Sequence, residues 1–355
     1  MRRLEDFVAD IEAKELKEAE LYGNSSIHRK LSKQEEAGED SKALFSDIDN
    51  TFYREEQKGA MVRVIEGAAE RSIPLVSVTG NGYEGVRQRI EKGELPYFDV
   101  IVGAVGTEIW VLREDENGKA YHQDTDYEKM LKEFGYERRD IAEKGASLIG
   151  RMGEVHPDAK LDFQEPVQEK QWLEGEEIDR QPYKVSFYFF ANESSLDVIA
   201  KEISGQYPEH VVTICEEIHY NKTIEEGQDK KYCVDILPIS KGGAVTYVSK
   251  VLGIKQGLVA GDSGNDVDML VKTGALNSAL VGGYKPEALR SVEQSVQKKR
   301  PGKRSFQRIT QPDGSVKAMY IEPEPEKRKA AESIERAAMI LERAERIKKL
   351  KETHG

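Results

Sequence analysis

The sequence has only two cysteines, Cys215 and Cys233, among its 355 residues. Two cysteines at this separation are too few for a zinc site or a disulfide framework, and low cysteine use is typical of proteins in a reducing cytoplasm. We therefore interpret both as ordinary buried thiols and expect a cytoplasmic protein.

Long apolar runs and an excess of positive charge are also missing. No stretch approaches the roughly 20 apolar residues that cross a bilayer, and residues 1–20 lack the apolar segment of a secretory signal. The 53 lysines and arginines face 65 aspartates and glutamates, which gives a net charge of −12. These properties argue against membrane insertion, secretion and general nucleic-acid binding.

Alternating strand and helix patterns occur on both sides of a central segment. The predicted order is a strand at 43–49, a helix at 59–71, a strand ending at Thr79, a helix at 83–92, a strand region at 98–112, and, further on, a helix at 241–252, a strand ending at Asp262, a helix from about Asp266 and a strand at 279–281. This alternation predicts an α/β fold with a Rossmann-like parallel sheet covered by helices.

The central segment and the two ends differ from this pattern. Residues 119–232 combine polar helices with alternating strands, which indicates an α+β domain inserted into a core formed by 41–118 and 233–322. Residues 1–40 are interpreted as a helical extension followed by a polar linker, and 323–355 as a C-terminal helix. The C-terminal helix has a narrow seam at Ala330, Ile334, Ala337, Leu341 and Ala344. Docking of this seam on its own chain is favoured over a partner or dimer helix and over a solvated tail.

Acidic residues follow two of the predicted buried strands. Asp47 and Asp49 follow the first, and Asp262 and Asp266 follow a later one. The carboxyl ends of parallel strands meet at one edge of a sheet, so these carboxylates are expected close together, where they suit Mg²⁺. Either run alone also fits a turn that caps the next helix. The pairing of the two runs favours the metal site.

Further residues supply what phosphoryl transfer needs. Thr79 offers a hydroxyl, residues 80–82 offer backbone N–H groups for phosphate, and Lys241 offers a cation at a predicted helix start. Four pieces thus occur in order along the chain: the run with Asp47 and Asp49, Thr79, Lys241, and the run from Asp262 to Asp266. With these pieces the chain resembles the haloacid dehalogenase (HAD) superfamily, and within it the subclass IIB sugar phosphatases of the sucrose-6-phosphate phosphatase type. The resemblance covers roughly residues 43–283 and rests on FSDIDNTF, AVGTEIW, PYKVSFYF, VDILPISKGG and LVAGDSGNDVDML.

The resemblance implies roles for the catalytic residues. Asp47 would be the nucleophile that forms an aspartyl-phosphate, and Asp49 would be the general acid and then the base. Thr79 and Lys241 would hold phosphate oxygens, and Lys241 would also restrain Asp47. The inserted domain would act as a cap that closes over the substrate.

The resemblance also implies a metal site and a sugar site. Mg²⁺ would be held by Asp47, the backbone carbonyl of Asp49 and Asp262, with support from Asn265 and Asp266. The sugar would be read by Gly80, Asn81, Glu108 and Lys184. The expected substrate is a small phosphosugar, with sucrose 6-phosphate as the first candidate.

One departure and two alternatives stand beside this reading. The family has Thr-Gly-Arg-Ser where this chain has Thr-Gly-Asn-Gly at 79–82, so an arginine near the phosphate or sugar is missing. A phosphosugar mutase of the same superfamily shares the aspartyl-phosphate step. A binding protein that kept the fold and uses its terminal helices for a partner is the alternative outside enzymes.

Overall fold

The computed structural model describes residues 8, 20–116, 118–155, 181–191, 196–216, 230–274, 276–295, 306–310, 316–328 and 330–354. The chain forms two compact units. One comprises Ala9–Asp124 and Lys241–Gly355, and the inserted unit comprises Thr125–Ser240 together with Met1–Val8. The helix predicted near the N-terminus lies largely outside the described residues. Among the described helices, none has the length and apolar content that a membrane span needs.

The elements follow in chain order. Before the insertion they are α1 (Glu20–Gly23), α2 (Ser26–Glu36), β1 (Lys42–Ser46), α3 (Lys58–Glu70), β2 (Leu75–Val78), α4 (Tyr83–Glu91), β3 (Val100–Gly103), β4 (Glu108–Asp115) and β5 (Gly118–Gln123). The inserted unit has α5 (Thr125–Glu133), α6 (Arg138–Val155), β6 (Val185–Ala191), α7 (Leu196–Gln206), β7 (Val211–Glu216) and β8 (Lys230–Leu237). After it come α8 (Lys241–Val251), β9 (Gln256–Gly261), α9 (Val267–Lys272), β10 (Asn277–Leu280), α10 (Pro286–Ser295), β11 (Phe306–Thr310), β12 (Val316–Ile321) and α11 (Ala331–His354).

The larger unit is built on a nine-stranded sheet in the order β11-β12-β10-β9-β1-β2-β3-β4-β5. The pairs from β12 to β3 are parallel, and the pairs at both ends of the sheet are antiparallel. The apolar runs of β1, β2 and β3 are buried, as expected for parallel strands covered on both faces. The predicted α/β class is therefore confirmed, and the carboxyl ends of β9, β1 and β2 are neighbours.

The strand region predicted at 98–112 is two strands rather than one. β3 and β4 are antiparallel, with Val100 opposite Val111. Between them Ala104 and Val105 both adopt the left-handed conformation, with φ of 47° and 61°. Such φ values are rare for residues with a side chain, and Gly103 and Gly106 on either side of the turn were the available sequence signal.

The inserted unit holds a three-stranded antiparallel sheet in the order β6-β8-β7. One face carries Phe187, Val234 and Ile236, which are buried, and helices α6 and α7 pack against β6 and β7. At Gly145 of α6 a Cβ atom would lie 2.1 Å from the Phe187 ring, so this helix approaches the sheet closely. Because side chains alternate along a strand, the other face carries polar residues, among them Asp235.

The polar segment predicted to be a linker forms helix α2. Ser25 caps it by accepting a hydrogen bond from the His28 N–H at 3.2 Å. Ile27 and Leu31 are buried on one side of the helix. The Gln34 amide lies on the same side and bonds the Lys42 and Ser72 backbones. The segment was predicted to be a linker because it is highly polar and its buried side has only these two apolar residues.

The C-terminal helix α11 packs on its own chain. Ile334, Ala337 and Leu341 of the predicted seam are buried in the core of the larger unit, and α11 contacts α3. Arg63 of α3 bonds Glu335 of α11 at 3.1 Å. These contacts agree with the favoured docking alternative, and the side chain of Ala344 lies outside the described ones.

We expect Ile334→Ala to destabilise the protein by about 2–4 kcal/mol, because it leaves a cavity under α11. Ile334 is 1% exposed. Met339→Ala on the same helix is the matched control, since Met339 is 60% exposed and should change the free energy of unfolding by less than about 0.5 kcal/mol. Urea denaturation measures both variants, and equal effects would contradict the packing of the seam.

Lys317 of β12 is buried, and among the described residues no carboxylate is bonded to its ammonium. Its Nζ donates to the Thr273 hydroxyl at 3.2 Å, and burial lowers the pKa of Lys317 to about 7. Between about 7 and 10.5 the unfolded chain therefore binds more protons than the folded one, so folding gains stability as pH rises. We expect Lys317→Met to be more stable than wild type at pH 7, by an amount that shrinks toward pH 10. Melting curves at both pH values test this, and a constant difference would contradict it.

Candidate active site

The site is formed where three neighbouring parallel strands end. Asp47 follows β1, Thr79 follows β2 and Asp262 follows β9. Asp47 continues the ladder by donating its backbone N–H to the Ala260 carbonyl at 3.0 Å. The three side chains are 7%, 1% and 3% exposed. Polar groups this deep need partners, because burial without a hydrogen bond is costly.

Lys241 supplies such a partner. As the first residue of α8 its Nζ donates to Asp47 Oδ1 at 2.8 Å and to Asp266 Oδ1 at 2.7 Å. Burial alone would lower the pKa of Lys241, but the charges of Asp266 and Asp47 raise it well above its usual value. Lys241 is therefore a fixed ammonium that restrains the Asp47 carboxylate.

Three buried carboxylates gather beside this lysine. Oxygen atoms of Asp47, Asp262 and Asp266 lie within 4.8 Å of one another. Burial raises the pKa of Asp47, with Lys241 opposing it, and burial together with Asp266 raises the pKa of Asp262 to about 7. Lys241 and Lys285 lower these pKa values, but burial and the neighbouring acids outweigh them, so this group of oxygen donors fits a divalent cation.

The Asp266 carboxylate accepts hydrogen bonds from its own loop. Its Oδ2 accepts the backbone N–H groups of Asp262 and Ser263, both at 3.0 Å, and the Ser263 hydroxyl at 2.9 Å. Asn265 accepts from Lys241 at 3.4 Å and from Ser263 at 2.8 Å. Asp266 and Asn265 are thus hydrogen-bonded to the loop of Asp262 and to Lys241.

Thr51 is a site residue that the sequence analysis did not single out. Its hydroxyl donates to Asp262 Oδ1 at 2.7 Å, and the residue is fully buried. The turn that brings it there passes through Asn50, whose φ is 64°. Asparagine tolerates this conformation better than most residues. The sequence signal for Thr51 was its position four residues after Asp47.

Asp49 sits at the more open side of the site, between two donors. Arg89 of α4 bonds its Oδ1 at 2.9 Å, and the Asn81 amide bonds its Oδ2 at 2.9 Å. The Arg89 guanidinium also stacks over the Tyr53 ring at 5.1 Å and lies 3.5 Å from Glu94. The sequence analysis missed Arg89, because nothing in the chain pattern connects it with Asp49.

The loop after β2 is fixed by the left-handed turn after β3. The N–H groups of Ala104 and Val105 donate to the carbonyls of Asn81 and Thr79, both at 2.9 Å. At Gly80 a Cβ atom would lie 3.9 Å from the Asn265 amide, so the loops after β2 and β9 are close together. The strained turn therefore positions residues 80–82, the loop whose backbone N–H groups are predicted to bind phosphate.

The remaining two predicted sugar residues have partners. Glu108 accepts the Tyr83 N–H at 2.6 Å and the Trp110 indole N–H at 3.2 Å, and so anchors the start of α4. Lys184 belongs to the inserted unit, where its Nζ lies 3.4 Å from Asp235 Oδ1. The larger unit thus brings together all the predicted catalytic and metal residues with Gly80, Asn81 and Glu108.

This fold is that of a HAD-type phosphatase. The sequence profile of the sucrose-6F-phosphate phosphohydrolase family matches residues 40–158 and 166–311, and the chain belongs to this family. It is accordingly a phosphoric monoester hydrolase of the sugar-phosphatase type. Helices α2 and α11 lie outside the matched residues.

Two relatives illustrate the similarity. A kanosamine-6-phosphate phosphatase of Bacillus subtilis (strain 168) is 25% identical over 250 residues, which cover 65% of this chain and 79% of the relative. The X-ray structure of the sucrose-phosphatase from Synechocystis sp. PCC6803, in complex with sucrose and phosphate, has a TM-score of 0.55 at 20% identity and covers 85% of this chain and 98% of that one. The latter supports the fold.

Proposed function

We propose that the protein is a Mg²⁺-dependent phosphatase that hydrolyses a sugar phosphate through an aspartyl-phosphate on Asp47. The observation that carries the proposal is the buried Asp47 carboxylate, held at 2.8 Å by Lys241 and adjoining the Asp262 and Asp266 carboxylates. A nucleophile beside a fixed cation and an acidic cation site is the combination that phosphoryl transfer requires. A scaffold protein has no use for it.

In the first step an Asp47 carboxylate oxygen attacks phosphorus. The bond from phosphorus to the sugar oxygen breaks as Asp49 gives that oxygen a proton. In the second step Asp49 takes a proton from water, which attacks the aspartyl-phosphate and releases inorganic phosphate and the Asp47 carboxylate. Thr79 and Lys241 hold phosphate oxygens through both steps, so their positions set the alignment of the attack.

The donor set fits Mg²⁺, which prefers oxygen ligands. Asp47, the backbone carbonyl of Asp49 and Asp262 would hold the ion, with Asn265 and Asp266 supporting. A bound ion offsets negative charge on the phosphate oxygens. The raised pKa values of Asp47 and Asp262 support this assignment, because burial and neighbouring carboxylates outweigh the nearby lysines.

Sucrose 6-phosphate is the first substrate candidate, and another phosphorylated sugar is the next. The family match supports sucrose 6-phosphate. The kanosamine-6-phosphate phosphatase among the relatives supports a different phosphorylated sugar. We assign Asn81, the Gly80 backbone and Lys184 to sugar contacts. Glu108 is assigned to positioning of the loop, because both its carboxylate oxygens accept hydrogen bonds there.

Phosphate release from a panel of sugar phosphates, with Mg²⁺ and with EDTA, tests the proposal. We expect release that depends on Mg²⁺ and is concentrated on one sugar. Transfer of phosphate between two positions of a sugar bisphosphate without release would instead identify a mutase. No turnover of any sugar phosphate by folded, Mg²⁺-loaded protein would contradict both the phosphatase and the mutase function.

Arg89 is expected to position Asp49 during proton transfer. Arg89→Ala should lower kcat about tenfold with a smaller change in KM, a part of the roughly 10²–10⁴-fold that general acid–base catalysis contributes. Arg89→Lys should restore part of the loss. Arg87→Ala is the matched control, since Arg87 lies on the same helix and pairs with Glu84 instead. Equal kcat values for both alanine variants would refute the assignment.

A further inference from the structure

The antiparallel register of the inserted unit places the two cysteines directly opposite each other. Cys215 of β7 pairs with Cys233 of β8, and the neighbouring pairs continue the same ladder on both sides. Residues opposite each other in an antiparallel pair point to the same face of the sheet. Both residues are thiols in this structure, although 17 residues separate them in the sequence.

This arrangement meets the geometric requirement for a disulfide. Opposite residues in antiparallel strands have Cα atoms about 4.5–5.5 Å apart, and disulfides join Cα atoms about 4.4–6.8 Å apart. A bond between Cys215 and Cys233 therefore needs side-chain rotation and no change in strand pairing. The spacing of the cysteines along the chain had given no sign of this.

The two cysteines differ in exposure. Cys215 is partly exposed, whereas Cys233 is 8% exposed and donates to Asp235 Oδ1 at 3.6 Å. The Lys184 ammonium lies 3.4 Å from the same oxygen. A buried thiol bonded to a carboxylate is held in its protonated form, so the more exposed Cys215 is the sulfur that meets an oxidant first.

We propose that Cys215 and Cys233 are a modification site, at which a peroxide produces a reversible disulfide across β7 and β8. The more exposed Cys215 sulfur attacks one peroxide oxygen, the O–O bond breaks, and a sulfenic acid and water result. The Cys233 sulfur then attacks the Cys215 sulfur, the S–O bond breaks, and a second water leaves with the Cys233 proton. The two thiols are oxidised by two electrons in total and hydrogen peroxide is reduced by two.

The site lies on the face of the sheet that carries Lys184. Ser186 and Lys184 both contact Asp235, which also accepts from Cys233. Disulfide formation removes the thiol hydrogen bond to Asp235, while Lys184 and Ser186 keep their contacts with that carboxylate. Given the proposed function, in which Lys184 contacts the sugar, oxidation then weakens substrate binding.

The chemical test uses the full-length protein and hydrogen peroxide. After exposure, the protein is unfolded, its remaining thiols are alkylated, and intact and peptide masses are measured. We expect loss of both alkylation sites together, a mass lower by two hydrogen atoms, a linked Cys215–Cys233 peptide and recovery of both thiols with dithiothreitol. The single variants Cys215→Ser and Cys233→Ser should give no linked peptide. Sulfenic or sulfinic acid without a linked peptide, or a disulfide between two molecules only, would overturn the proposal.

A second measurement tests the link to substrate binding. In cross-linked protein KM for the sugar phosphate should rise by about threefold or more with a smaller change in kcat, and dithiothreitol should restore it. Cys233→Ser should keep its KM through the same treatment. An unchanged KM in fully cross-linked protein overturns the link to Lys184. Absence of phosphatase activity in the reduced protein contradicts the proposed function and leaves the mass result standing by itself.

Discussion

Asp47→Asn is expected to abolish phosphate release while the protein stays folded. An amide cannot form the acyl-phosphate bond that a carboxylate forms, so kcat should fall by at least about 10⁴-fold, as when a nucleophile is lost in other hydrolases. The side chains have nearly equal volume, and the amide oxygen still accepts from Lys241. Phosphate release and thermal unfolding of the same preparation measure the two parts of the expectation.

Asp99→Asn is the control for this variant. Asp99 is an aspartate of the same unit, 2% exposed, that accepts from Lys30 at 2.7 Å and from the Leu75 N–H at 2.8 Å. The Asp99→Asn variant should be less stable than wild type and keep the wild-type kcat. Asp47→Asn protein that retains turnover above a few per cent would refute the assignment of the nucleophile.

Lys241→Met should reduce both activity and stability. The substitution removes the ammonium that bonds Asp47 and Asp266, and loss of one member of a buried ion pair costs about 3–5 kcal/mol. Loss of a charged donor to the phosphate should also lower kcat by about 10²–10³-fold or more. Urea unfolding and phosphate release measure these changes.

Lys317→Met provides the comparison, because both lysines are 1% exposed and, within the described part of the chain, Lys241 is the one of the two that bonds carboxylates. Lys317→Met should keep its activity and gain stability at pH 7. Similar stability changes in the two variants would show that burial, rather than the ion pairs, decides the effect of Lys241.

Patterns local in sequence predicted the central architecture and most of the site. Buried apolar runs ending in Asp47, Thr79 and Asp262 indicated neighbouring parallel strands, and strand ends converge in such a sheet. Helix α2 was not predicted, because its single buried side is short and otherwise polar. The strand region after residue 98 was predicted without its reversal, because Gly103 and Gly106 were its turn signals and the residues between them, Ala104 and Val105, are rarely found in the left-handed conformation.

Tertiary contacts account for the other omissions. Arg89 meets Asp49 only because α4 returns past the end of β1, and no residue spacing encodes that approach. Asn81 replaces the family arginine in sequence, and the structure supplies a guanidinium to Asp49 from Arg89. The opposition of Cys215 and Cys233 likewise depends on strand register, which residue counting does not give when the two strands are far apart in sequence.

The boundaries of the inserted unit have a consequence for building chimeras. The chain enters it after Asp124 and leaves it at Ser240, immediately before Lys241. A donor domain grafted between these points must therefore deliver its last strand to a residue whose side chain is bonded to Asp47. Replacing residues 125–239 with the Ser240–Lys241 junction retained is the exchange that keeps the residue bonded to Asp47 in place.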